Sequence, residues 1–313
     1  MIYKTDLKEL LDYLSSLHLV SEESCNWLLK QSPQLPVNYK IPIEFDEHTK
    51  GNIALVINFE QGGYSVSEYR IELVKIPEVE HTISQGVNTV QLEQRLAAIN
   101  WQVVEKVQLL EDNIAVILDE VMFLRLSGSG QAQDVMDMLM LKYWYSTPVM
   151  EVMDFINLDQ YKTSLISKLN GDINDIELIQ ARNLLQGRCL MRFYNYIPGF
   201  QSDAYWLKLE HGALVEYPAF NVNGALGELP LFPLLDEITT PRLLAFLLSG
   251  HRENVHMKVA GKIVDAWIEV NAPERDIAIF NAAGKRAKLS ELEEVRQKPE
   301  QKSSKARRTR PGM

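Results

Sequence analysis

Six histidines and two cysteines are the side chains best suited to binding a metal or attacking a carbonyl, and the chain spreads them widely. The histidines are His18, His48, His81, His211, His251 and His256. Only His251 and His256 are near neighbours, and on an extended segment side chains five apart point to opposite faces. There is no HExxH sequence, so no metal centre is expected. Cys25 and Cys189 form no CxxC pair and cannot make a disulfide framework. Neither has a histidine close in sequence to act as a base, and each reads as a small, partly buried thiol. Phosphate-cradling patterns of the GxxxxGK[ST] and GxGxxG kinds are missing. Gly128-Ser129-Gly130 reads as a flexible break, and no GxSxG elbow is present. Ser164-Leu-Ile-Ser-Lys168 reads as a solvated helix surface. Asp134 with Asp137, and Glu291 with Glu294, are carboxylate pairs at helical spacing. General acid and base chemistry needs two carboxyls in unlike environments, and helical spacing alone points to exposed faces. No catalytic residue and no cofactor are therefore assigned.

Two features remain. Six of the ten methionines, Met122, Met136, Met138, Met140, Met150 and Met153, fall within 32 residues, with Tyr143, Trp144 and Tyr145 among them. Methionine is flexible and polarizable, and tyrosine and tryptophan anchor interfaces. The cluster fits a Met-rich helical core. It also fits a docking face, on which Met136, Met140, Tyr143 and Trp144 would be the contact residues. The second feature is charge. Residues 296–313 hold seven Lys/Arg and one Glu, whereas the first 295 hold 25 basic and 41 acidic side chains. A basic end on an acidic body means that two parts of the molecule see different partners. Lys302, Lys305, Arg307, Arg308 and Arg310 could neutralise phosphates and release counterions. No aromatic residue stands among them to stack a base, so such contact would be non-specific and salt-dependent.

Composition sets the frame. The net charge is −10, with 46% hydrophobic and 24% charged residues, which is ordinary for a globular protein. The acidic body repels phosphate backbones, leaving the end segment as the expected nucleic-acid contact. Charges interrupt the N-terminal apolar positions, and no run approaches the ~18 apolar residues that span a bilayer. A cytoplasmic location is the expectation by elimination, with no membrane partner and no identified small-molecule ligand.

Periodicity supplies the elements that must position any site. Residues 5–30 read as two helices, with Leu7, Leu10, Leu11 and Leu14 at helical spacing. Residues 37–76 alternate as about three antiparallel strands around Gly62-Gly63. From 90 to 169 the pattern is helical: a stripe from Leu92 to Leu110, a helix over 131–145, and one or two more reaching Leu169. Periodicity does not decide between a buried helix and two short strands over 114–126, and the abundance of Leu and Met favours helix. Residues 176–185 predict a short helix ended by Gly187. Strands are predicted over 189–196, 205–210, 214–220, 255–259, 263–270 and 277–280, with a helix over 240–248. The expected class is α+β, with antiparallel sheets, a central helical region and a disordered basic C-terminal tail. The expected divisions are 1–87, 88–169, 170–295 and 296–313.

Ala181, Asn183, Leu184, Leu185, Gly187 and Arg188, followed by Trp206, Asn221, Gly250, Ile268-Glu-Val-Asn-Ala-Pro273 and Gly284-Lys285-Arg286, carry a resemblance. Residues 170–288 resemble an uncharacterised bacterial domain family associated with conjugative and mobile elements. The resemblance implies a domain type and a mobile-element setting, and brings no catalytic residues. The order Asn271-Ala272-Pro273 and the short loop after Arg188 depart from the family pattern. The sequence thus leads to a non-enzymatic accessory or interaction protein with weak nucleic-acid contact through its tail. Two alternatives stay open: an enzyme acting on nucleic acid with a site not visible in sequence, and a pure protein-interaction module using helices 122–153.

Overall fold

Alternation of apolar and polar residues builds the first sheet. In the computed structural model, Asn38–Asp46 (β1), Thr49–Glu60 (β2) and Gly63–Lys75 (β3) form an antiparallel meander. Gly62 at φ 83° supplies the left-handed turn between β2 and β3. The structure describes residues 6–31, 38–46, 48–60, 62–105, 108–109, 111–152, 156–172, 174–194, 203–232 and 239–292. The proposed tail, 296–313, lies outside them, as does Met153.

A fourth strand, Lys162–Lys168, completes the sheet in the order β1-β2-β3-β6, where this strand is β6 and β4 and β5 are the short pair Ile83–Ser84 and Val87–Asn88. The helix expected to reach Leu169 is corrected here. Residues 164–168, read as a helix surface, are extended and pair with β3 at Glu72↔Ser164 through Glu68↔Lys168. The physical reason is a period of two: Leu165 and Ser167 are buried, whereas Ile166 is exposed. An edge position with one covered face outweighs the weak helical preference of five polar and apolar residues.

The sheet has two unlike faces. On one, Ile53, Leu55, Tyr69, Ile71, Leu73 and Leu165 are buried. Helices Leu7–Ser16 (α1) and Leu178–Leu185 (α7) pack against this side of β3 and β6, and the Tyr69 hydroxyl donates to the Ile176 carbonyl at 2.8 Å. Helix Glu22–Gln31 (α2) packs on α1. The opposite face carries Lys40, Asn52, Ala54, Glu68, Arg70 and Glu72, but at its far end Val74 is fully buried. Val74 and Ile76 join a core made by Thr89–Ala97 (α3), Asp112–Leu126 (α4), Gly130–Tyr143 (α5) and Pro148–Val152 (α6). The helical segment therefore roofs one end of the outer face and leaves the rest open.

Two compact units are present. The first comprises Met1–Gly187, Arg192–Asp203 and Leu207–Glu216, and the second Arg188–Met191, Ala204–Trp206 and Tyr217–Met313. The segments 1–87 and 88–169 both fall in the first. Leu190–Phe193 (β7), Ala204–Glu210 (β8) and Ala213–Pro218 (β9) form a three-stranded sheet in that order. After Asn221 comes a short helix, Val222–Gly227 (α8), capped by the Asn221 side chain, which accepts from the Gly224 N–H at 2.9 Å. Thr239–Leu248 (α9) precedes the antiparallel strands Glu253–Val259 (β10), Lys262–Asn271 (β11) and Asp276–Phe280 (β12). Trp206, Met257, Ala266 and Ile268 are fully buried at the centre of the second unit's core. The class is α+β, with antiparallel sheets on either side of a helical region in chain order. Among the described residues no helix is long and apolar enough to cross a membrane.

Candidate functional site

The roof of the outer face ends in a turn that hangs over the sheet. Helix α5 stops at Tyr143, and Trp144, Tyr145, Ser146 and Thr147 turn the chain into Pro148 at the start of α6. Trp144 pins the turn from below. It is wholly buried, stands edge-on to Trp101 with ring centroids 5.5 Å apart, and its carbonyl accepts the Thr147 hydroxyl at 2.7 Å. Ser146 sits at φ 62°, a left-handed conformation that costs a non-glycine residue about 1 kcal/mol or more. Its hydroxyl donates to Oδ1 of Asn52 at 2.9 Å, and Nδ2 of Asn52 donates to the Tyr145 hydroxyl at 2.9 Å. One asparagine on β2 thus fixes two side chains of the overhanging turn.

The result is an open trough of about 590 Å³ lined by Lys40, Asn52, Glu72, Gln102, Tyr145 and Lys162, with Pro42, Met150 and Leu158 as its apolar part. The register explains the floor. Pro42 pairs with Asn52, Asn52 with Glu72, and Glu72 with Ser164, so one row of outward side chains crosses four strands. Gly51 keeps the row close: a side chain there would collide with the Glu72 carbonyl. A second hollow of about 360 Å³ shares Lys40, Asn52 and Glu72 and continues along the sheet past Ala54, Val56, Glu68 and Arg70.

Burial, and then the Glu72 charge, push the Tyr145 phenol from its ordinary value of 10.0 up to about 12. The hydroxyl is therefore a hydrogen-bond donor and not a base near neutrality. Its oxygen accepts from Asn52. Lys162 lies 3.8 Å from Glu72 and 3.7 Å from Asp159, long contacts that leave its ammonium able to meet a ligand anion. The trough thus offers hydroxyl and amide groups held in place from behind, one carboxylate, and ammonium groups at Lys40 and Lys162. That set suits hydrogen bonding to a polar, extended ligand.

A second polar knot has its own explanation. Glu93 accepts from Lys142 Nζ at 2.8 Å and the Tyr143 hydroxyl at 3.0 Å, and lies 3.0 Å from Nε2 of His81. Burial acts to raise the Glu93 carboxyl, but Lys142, Tyr143 and His81 outweigh it and hold the group below its usual range. The knot fastens α3 to α5 and to the segment before β4.

The residues singled out from sequence occupy mixed positions. Met136, Met140 and Trp144 are interior side chains of the helical core, and Tyr143 is half-buried with its hydroxyl on Glu93. Met138 is buried with them, whereas Met122 and Met150 are half-buried. Lys302, Lys305, Arg307, Arg308 and Arg310 lie outside the described residues. Asp137 accepts the Tyr161 hydroxyl at 2.8 Å, and its carboxyl is raised by burial and by Asp134. His256 pairs with Asp265 at 2.7 Å. Ser129 caps α5 by accepting from the Ala132 N–H. Among the described residues no three His, Cys, Asp or Glu side chains are grouped to hold a metal ion. Of the residues that carry the resemblance, Arg188 and Glu269 lie 3.8 Å apart, and Arg252 donates to Glu269 at 2.7 Å while covering the Phe280 ring.

Asn52, Glu72, Ser146 and Lys162 were not singled out from sequence, and Tyr145 figured there only among the aromatics of the methionine cluster. The one local signal was Asn52, a polar residue flanked by the apolar run Ile53 to Ile57. Comparison with known proteins adds no further constraint: no family model, no curated protein and no solved structure matches the chain.

Proposed function

We propose that the protein is a non-enzymatic interaction protein. Its acidic body holds an extended polypeptide segment of a partner in the trough, and its basic end makes loose, sequence-independent contact with DNA or RNA. The observation that carries the reading is the trough floor, where Asn52 locks Tyr145 and Ser146 into place before any ligand arrives. Preorganised donors and acceptors spare a ligand the cost of ordering them. An extended peptide exposes an N–H and a C=O at every residue, which matches the mixed donors and acceptors along the row. The charge split of the chain supports the second half of the reading. A weak tail contact raises the local concentration of nucleic acid around the partner. The mobile-element setting rests on the resemblance of residues 170–288.

Two experiments test this. Random linear peptides selected on the full chain should bind at least ten-fold more weakly to Glu72→Lys than to the parent. Failure to select any peptide, or equal binding to Glu72→Lys, would overturn the trough assignment. For the tail, a chain ending at Val295 should lose single-stranded oligonucleotide binding at low salt. With five cations engaged, the full chain's log affinity should fall with log salt at a slope of about −3.5. Undiminished binding by the shortened chain would remove the tail's role.

A further inference from the structure

Helix α4 is apolar on both sides. Ile114, Ile117, Leu118, Val121 and Leu124 are buried, as expected for a helix laid on a core. On its other side Val116 is 50% exposed, Phe123 53% and Leu126 73%. At 100° per residue these three, with Asp112 and Asp119, fall within an arc of about 80°. A helix that is hydrophobic all round belongs in an interior, yet half of this one faces outward in the single chain. Scattered exposed apolar residues are ordinary, but a stripe of three large ones on one helix face marks a contact surface.

The charges around the stripe select its occupant. Asp112 and Asp119 lie within it, Glu111 precedes it, and all three are exposed. The cation nearest in sequence, Arg125, lies on the opposite side of the helix by its spacing. Glu120 is already engaged by Arg95. A second copy would bring acidic stripe against acidic stripe. An anionic membrane surface would be repelled in the same way. The chain's own residues 296–313 have the right charge, but Met313 is their one large apolar side chain, too little to cover Val116, Phe123 and Leu126 together. We infer that the α4 stripe docks an amphipathic helix of another protein, with leucine-type side chains on Val116, Phe123 and Leu126 and flanking lysines or arginines on Asp112 and Asp119. Such helix recognition combines apolar anchors at helical spacing with charge matching at the rim. The surface is separate from the trough, and the inference stands whether or not the trough binds peptide.

The test uses the full chain and a synthetic 18-residue Leu/Lys peptide of helical periodicity, beside a peptide of the same composition with the periodicity scrambled. The periodic peptide should bind, weaken as salt rises, and perturb backbone amide signals of residues 112–126. Phe123→Ser/Leu126→Ser should reduce its affinity at least ten-fold, and Asp112→Asn/Asp119→Asn by a smaller factor with a flatter salt dependence. Both variants change exposed positions, and unaltered circular dichroism would verify their folds. The inference is overturned if the scrambled peptide binds equally or if the serine variant binds undiminished. It is also overturned if sedimentation shows a dimer that the serine variant abolishes, which would assign the stripe to a second copy. Flotation with phosphatidylserine-containing vesicles that depends on Phe123 would assign it to a membrane, with the same consequence.

Discussion

The two faces of the four-stranded sheet are built from the same strands, yet they do different work. On the covered face, Ile53, Leu55, Tyr69 and Ile71 are sealed beneath α1 and α7. On the open face, Asn52, Arg70 and Glu72 alternate with them along the same strands. Two tyrosines make the contrast concrete. Tyr69 is fully buried and spends its hydroxyl on the Ile176 carbonyl. Tyr145 is nearly as buried, but its hydroxyl lines the trough and is held there by Asn52. The same phenol fastens the fold in one place and faces a prospective ligand in the other. What separates them is which side of a strand they meet and what lies above it.

That contrast can be broken by substitution. The largest stability effect is expected on the sealed side. Leu55→Ala should cost about 3 kcal/mol in urea unfolding, from lost transfer energy and the cavity left behind. Peptide affinity of the surviving folded protein should be unchanged.

Alkaline titration sharpens the comparison. Below pH 10 Tyr145 is a neutral phenol both folded and unfolded, so it adds no pH dependence there. As pH rises from 10 towards about 12, the unfolded chain releases this proton and the folded one retains it, so stability falls. The loss attributable to Tyr145 is at most about 2–3 kcal/mol, and Tyr145→Phe should remove that share of the alkaline decline. An identical decline in the variant would mean that the phenol is not held as described.

Smaller again is Tyr69→Phe, which leaves the Ile176 carbonyl without its donor and should cost about 1–2 kcal/mol at neutral pH. Smallest is Glu72→Lys, which should change stability by no more than about 0.5 kcal/mol while weakening the selected peptides. A large loss of stability from Glu72→Lys would mean that the open face is structural after all.

The ladder of elements was largely legible. Period-two alternation over 37–76 gives β1 to β3, and a helical stripe marks α3, because in each the pattern repeats. Helix α4, apolar on both sides, has no such period, and only its leucine and methionine content favours a helix there. Strand β6 was not legible. Five residues of mixed polarity have no decisive period, and their partner β3 is separated from them by the whole helical segment. The trough was hidden for the same reason. Lys40, Asn52, Glu72, Gln102, Tyr145 and Lys162 converge only once β6 has paired and the turn after α5 has closed over the sheet. Methionine density showed a helical assembly but not which way Met136 and Met140 point.

The most direct test of the trough is a backbone amide titration of the full chain with a selected linear peptide, followed residue by residue. The account predicts saturable shifts at Asn52, Glu72, Tyr145, Ser146 and Lys162, with Leu55 and Ile71 little moved, and their disappearance in Glu72→Lys. Shifts confined to other parts of the chain, or unchanged shifts in that variant, would contradict it.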